Sequence, residues 1–89
     1  MLEWRDKTSY SRGDKERKPR IWELKVGGLR IVIHRIIHYP EWYVSCYDLS
    51  IEDNCLYTDD LEEAKAIGIK TIIDRIEELE KAKSILIGQ

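Results

Sequence analysis

The chain has no phenylalanine, a single methionine, two cysteines and two prolines among its 89 residues. Cys46 and Cys55 lie nine positions apart with no Cys-x-x-Cys. The spacing therefore offers no paired-thiol metal motif, and a disulfide is disfavoured in a reducing compartment. Only five glycines occur and none builds a phosphate-cradling loop. No apolar run approaches the ~20 residues of a membrane-spanning helix. The opening Met-Leu-Glu-Trp-Arg-Asp-Lys has no signal-peptide core, so a cytoplasmic protein is expected. Neither sign of charge dominates: 15 Lys and Arg stand against 17 Asp and Glu, net −2. That balance excludes a globally basic nucleic-acid binder while leaving room for a local patch. Hydrophobics at 43% and charges at 36% suit one small globular domain with one core.

The charge is unevenly spread. Residues 1–20 hold seven cations (Arg5, Lys7, Arg12, Lys15, Arg17, Lys18, Arg20) and four anions, net +3, whereas residues 21–89 are net −5. The first segment has three sizeable apolar residues, Leu2, Trp4 and Tyr10, without a period. Such a stretch buries too little area to offset its ordering entropy. Residues 1–19 are expected to form a basic, mobile arm from which Trp4 or Tyr10 can dock, and residues 20–89 a single domain.

From residue 20 the pattern is that of a sheet. Trp22, Leu24 and Val26 alternate with Glu23 and Lys25, the period of a half-buried strand. Gly27-Gly28 supplies a two-residue hairpin turn, and a β-branched run over residues 29–37 follows. Folding there pairs Val26 with Leu29, Leu24 with Ile31 and Trp22 with Ile33 on one face. Pro40 ends the second strand. A third strand is expected from Trp42 to Leu49, with Ile37 facing Trp42, Arg35 facing Val44 and Ile33 facing Cys46. Residues 50–54 read as a polar loop and 55–57 as a short fourth strand.

Thr58-Asp59-Asp60-Leu61-Glu62-Glu63 is a helix start, with Thr58 or Asp59 as cap and Asp59–Glu62 at capping-box spacing. Its acids suit the positive end of the helix dipole better than a metal. Leu61, Ala64, Gly68, Ile72, Ile76, Leu79, Ala82 and Leu86 then form one apolar stripe, and Gly88 can close the helix. The expected class is α+β: a three- to four-stranded antiparallel sheet with one long C-terminal helix packed on one face.

Chemistry-bearing residues are sparse. His34-x-x-x-His38 has zinc-finger spacing, but in a strand, with Cys46 on the other face. No oxyanion turn flanks either cysteine. No catalytic residue, metal or cofactor is expected.

The informative feature is the face the helix leaves. Val32, His34, Ile36, Tyr43 and Tyr47 are placed there, with Ile21 and Ser45. A solvated face should read polar, and an aromatic-bearing one marks contact with a partner. The competing reading puts Ile21, Val32 and Ile36 beneath the N-terminal arm or in a homodimer. In a nucleotide or nucleic-acid binder, the tyrosines would stack bases and Arg12, Lys15, Arg17, Lys18, Arg20 and Arg30 would meet phosphates.

The stretch Trp42-Tyr43-Val44-Ser45-Cys46-Tyr47-Asp48-Leu49, a polar loop, then Thr58-Asp59-Asp60-Leu61-Glu62-Glu63-Ala64 and an Ile-rich helix resembles the N-terminal domain of HicB-type antitoxins across residues 42–80. In size and style the chain is also similar to small bacteriophage accessory proteins. These resemblances imply a β-β-β-α binding protein that neutralises a partner, with no particular partner specified. The leading expectation is a non-enzymatic module that occludes a host or toxin protein. Its acidic surface would suit a nucleic-acid enzyme as partner.

Overall fold

Gly27 and Gly28 both take positive φ, 54° and 84°, and so close a two-residue hairpin whose twist matches its strands. That turn joins β2, Ile21–Val26, to β3, Leu29–Arg35, with Trp22 opposite Ile33, Leu24 opposite Ile31 and Val26 opposite Leu29. The computed structural model describes residues 2–9, 19–36 and 38–88. In chain order the remaining elements are β1 (Arg5–Asp6), β4 (Trp42–Cys46), a 3-10 turn (Tyr47–Leu49), β5 (Ile51–Cys55) and the helix α1 (Leu61–Ile87). The five strands form one antiparallel sheet in the order β1-β2-β3-β4-β5, and the class is α+β.

The segment expected as a mobile arm contributes an edge strand. Arg5 pairs with Glu23 and Asp6 with Trp22. The Lys7 amide donates to the Ile21 carbonyl at 2.8 Å, and the Thr8 hydroxyl accepts from the amides of Arg20 and Ile21 at 2.7 and 2.9 Å. Trp4 packs against the core. Lys65 of α1 reaches back between two indoles, 4.8 Å from the Trp22 ring centre and 5.6 Å from that of Trp4. Composition underrates this segment because one hydroxyl and one tryptophan order it. Tyr10 and residues 11–18 lie outside the described residues.

The β3–β4 register departs from the expected one by two residues. Trp42 faces Arg35, Val44 faces Ile33 and Ser45 faces Val32, while Ile37 lies outside the described residues. The cause is the connection. The Tyr39 amide donates to the Ile36 carbonyl at 3.1 Å, His38 takes φ 74°, and Pro40 has no amide to give a ladder. A slip of two preserves parity, so the two faces stay as expected. Its local consequence is that Arg35 covers Trp42. The guanidinium lies 4.5 Å over the indole, and both side chains donate to the Asp59 carbonyl, at 2.8 and 3.0 Å.

β4 also stops early, turning into the 3-10 segment at Tyr47, and the fourth strand is not residues 55–57 but Ile51–Cys55. Between the pairs Cys46–Ile51 and Val44–Asn54, Ser45 of β4 opposes two residues of β5, which makes a β-bulge. Asp53 in that bulge has φ 45°.

Leu24, Ile31, Ile33, Trp42, Val44 and Cys46 form the sheet side of the core, and α1 covers them with Ala64 and Ile72. The cap is Asp60, whose carboxylate accepts from the Glu62 amide at 3.1 Å, rather than Thr58 or Asp59. Thr58 instead accepts from the Asp60 amide and positions that cap. The helix outruns the sheet. Leu61 through Ile76 carry the packed stripe, but every residue from Glu77 to Gly88 is exposed. The fold extends 59 Å along its longest axis and only 24 Å across it.

Candidate functional site

The face away from α1 is organised by a polar knot on three strands. His34 of β3 stands opposite Tyr43 of β4, and Val32 opposite Ser45. His34 Nε2 lies 3.0 Å from Ser45 Oγ and 3.2 Å from Asp53 Oδ1. The Asp53 amide donates to Ser45 Oγ at 2.9 Å, so the bulge of β5 is what delivers the carboxylate. Tyr43 stacks on His34, rings 6.1 Å apart and 26° from parallel. Burial holds the His34 imidazole below its ordinary pKa, with Asp53 opposing, so the neutral ring is favoured. Burial, then the neighbouring Cys55, raises the Tyr43 phenol.

Ser, His and Asp together invite comparison with a hydrolytic triad, and the geometry decides against that role. In a triad the hydroxyl and the carboxylate hold opposite nitrogens of the ring. Here both converge on Nε2. Ser45 is buried, and its oxygen already accepts a backbone amide. The trio braces β3, β4 and β5 and fixes one wall of a depression of about 240 Å3. Ile21, Arg30, Val32, Arg35 and Tyr47 complete the lining.

The expected anchors are thus brought to one side, but they are not equally open. Val32 is 9% exposed and Ser45 3%, so the centre of this face is closed rather than an uncovered apolar surface. His34, Tyr43 and Ile36 are half-buried, Ile36 lying just beyond β3. Tyr47, 65% exposed, leaves the strand for the 3-10 turn and stands at the edge of the depression.

The basic residues divide differently. Arg30 lines the depression, but its Nε donates to Glu23, whose carboxyl is only 5% exposed and is held below the ordinary carboxylate range by that bond. Its backbone amide donates to Asp48 at 3.1 Å. Arg20 is exposed beside the Thr8 clamp. Arg12, Lys15, Arg17 and Lys18 lie outside the described residues. Glu23 and Asp53 are the members of this face that the sequence reading missed. Period-2 placement of Glu23 opposite Val32 could have found the first, whereas the bulge that delivers Asp53 leaves no local signature.

The cysteines are free and on opposite faces. Cys46 is fully buried against the helix side, which raises its thiol pKa, and Cys55 pairs across the ladder with Tyr43. Among the described residues, no three His, Cys, Asp or Glu side chains converge as a metal-binding group. None of the described helices is long and apolar enough to cross a membrane. A second groove of about 430 Å3 runs between β5 and α1, and charged residues form its helix wall: Asp74, paired within α1 to Lys70 at 3.0 Å, and Arg75, which pairs with Glu78 at 3.1 Å and donates to the Leu49 carbonyl at 3.1 Å. No protein-family model, curated protein or solved structure matches the chain.

Proposed function

We propose that this protein is a non-enzymatic binding module that occludes a partner protein, in the manner of an antitoxin or a phage-borne inhibitor. The contact surface is the helix-free side of the sheet, centred on the depression between Tyr47 and Arg30. The observation that carries the reading is the pairing of an exposed aromatic with a braced polar floor. Tyr47 is 65% exposed, while His34, Ser45 and Asp53 beside it are already locked by mutual hydrogen bonds. A tyrosine anchor buries large area at low entropic cost, and a rigid floor loses little on association. The net charge of −5 over residues 21–89 selects a basic partner and steers its approach, so capture should weaken as salt rises.

Tyr47→Ala tests this cleanly because the side chain is exposed. A protein retained from cell lysate by the wild-type chain should be lost at least tenfold, with an unchanged thermal midpoint. Tyr43→Ala should lose retention and stability together, because Tyr43 stacks on His34. Retention that ignores Tyr47 contradicts the reading.

Nucleotide or nucleic-acid binding is the second reading, favoured by the meeting of Tyr47 and Arg30 in one depression. Against it, Arg30 is engaged by Glu23, and Asp53 adds a negative charge to the same lining. A salt-sensitive shift of labelled single-stranded oligonucleotide, lost when Arg12, Lys15, Arg17 and Lys18 are replaced by Ala, would favour it. Those substitutions leave β1 intact, which deletion of residues 1–19 would not.

A further inference from the structure

The apolar stripe of α1 does not end where the sheet ends. Leu61, Ala64, Gly68 and Ile72 lie on the side packed against the sheet, and the same angular stripe continues through Leu79, Ala82 and Leu86. Beyond Ile76 the described chain leaves it uncovered. Leu79 is 47% exposed and Leu86 73%, and Ile85 and Ile87 beside them are 67% and 71% exposed. Isolated surface leucines need no explanation, but a stripe in register with the core and projecting past it does.

We propose that residues 75–87 pair with the same segment of a second copy, antiparallel about a two-fold axis near residue 81. Charge and spacing both select that occupant. Positions 69, 72, 76, 79, 83 and 86 recur at alternating steps of three and four, the seam of a coiled coil, with Lys83 as the polar member. Antiparallel pairing centred near residue 81 sets Ile76 against Leu86 of the second copy. It also lays the stem of Lys83 over its Leu79. The Lys83 ammonium then meets Glu80 of the other chain, and symmetry makes this contact twice. The overhang carries its acids first, Glu77, Glu78 and Glu80, and its bases after, Lys81 and Lys83. Such an order is self-complementary only when the chains run in opposite directions. Lys81 and Glu77, at i,i+4 spacing, fall on the wet side of their own helix. A self-matching patch on both partners is what a two-fold interface requires. The contact is small, so association with a Kd on the order of 1–100 µM is expected rather than an obligate dimer.

Sedimentation equilibrium of the full chain from about 1 to 500 µM reads this directly. The mass should rise from monomer to twice monomer and no further. The double variant Leu79→Glu, Leu86→Glu should weaken association at least tenfold with the dilute-solution thermal midpoint unchanged, since neither side chain touches the sheet. Glu80→Lys alone and Lys83→Glu alone should each weaken it, and the two together in one chain should restore it. An equimolar mixture of the two single variants should associate more tightly than either alone. A chain that stays monomeric throughout overturns the proposal, including one that is monomeric but binds anionic vesicles through the overhang. Association indifferent to Leu79 and Leu86 overturns it as well. Association that depends on those leucines but ignores charge exchange at 80 and 83 overturns the antiparallel register.

Discussion

At the scale of single residues, Ser45 connects the most. It is 3% exposed, and its hydroxyl meets both His34 Nε2 and the Asp53 amide. Ser45→Ala leaves a buried donor and a ring nitrogen without that partner, which costs about 1–3 kcal/mol. Urea denaturation should show the loss, with amide exchange rising first in β5. Gly68 is the second sensitive position. An alanine Cβ there would lie 2.5 Å from Ile33 Cδ1, in a core where Ile33 is fully buried. Alanine in a helix ordinarily gains about 0.5–1 kcal/mol over glycine, while over-packing costs about 1–3 kcal/mol, so the net effect is destabilising. Adding Ile33→Val removes the offending methyl and should recover most of the loss. A Gly68→Ala variant more stable than wild type contradicts the close packing. Among the described residues, two groups give the fold a pH dependence on the acid side. Burial holds His34 below its ordinary value, so its contribution is complete above the unfolded pKa of about 6.5 and is lost as pH falls through it toward the folded value. The Arg30 hydrogen bond holds Glu23 down, so its contribution is complete above about 4.3 and is lost on further acidification through the folded value. Thermal midpoints by circular dichroism should therefore fall in two stages. His34→Gln should remove the upper stage and Glu23→Gln the lower.

At the scale of elements, legibility followed the strength of the local signal. The β2–β3 hairpin was readable to the residue because Gly27-Gly28 and the alternation of Trp22, Leu24 and Val26 agree. The helix was readable for a similar reason, an acidic start and a long apolar stripe, although its cap is Asp60 rather than Thr58 or Asp59. β5 was not. Glu52, Asp53 and Asn54 are poor strand formers, and the strand is held instead by the bulge bonds to Ser45, which lies eight residues away in sequence. β1 was missed for a related reason, since the Thr8 clamp on Arg20 and Ile21 is non-local. The apolar stripe of α1 also overstated burial, because periodicity gives a face but not the length of sheet available to cover it. Paired substitutions measure that difference. Ile72→Ala, buried at 3% exposure, should cost about 2–5 kcal/mol, whereas Leu86→Ala in dilute solution should stay within about 0.5 kcal/mol of wild type. Equal effects would mean that the helix end is packed.

At the scale of the whole molecule, one helix covers one side of a five-stranded sheet and leaves two surfaces of different character. The overhang is apolar and self-complementary in charge. The helix-free face is polar at its floor and aromatic at its edge, a composition the sequence placed correctly by face but overstated in openness, because Val32, Ser45 and Glu23 are closed over by their neighbours. The division of labour we propose is copy-to-copy contact through α1 and partner capture through the sheet. The most direct measurement is site-specific photo-crosslinking in cell lysate, with the photoreactive residue placed at position 47 on the sheet face or at position 70 on the exposed outer side of α1. The account predicts a discrete adduct with one protein from position 47 and none from position 70. No protein adduct from position 47, or the same adduct from both positions, would contradict it.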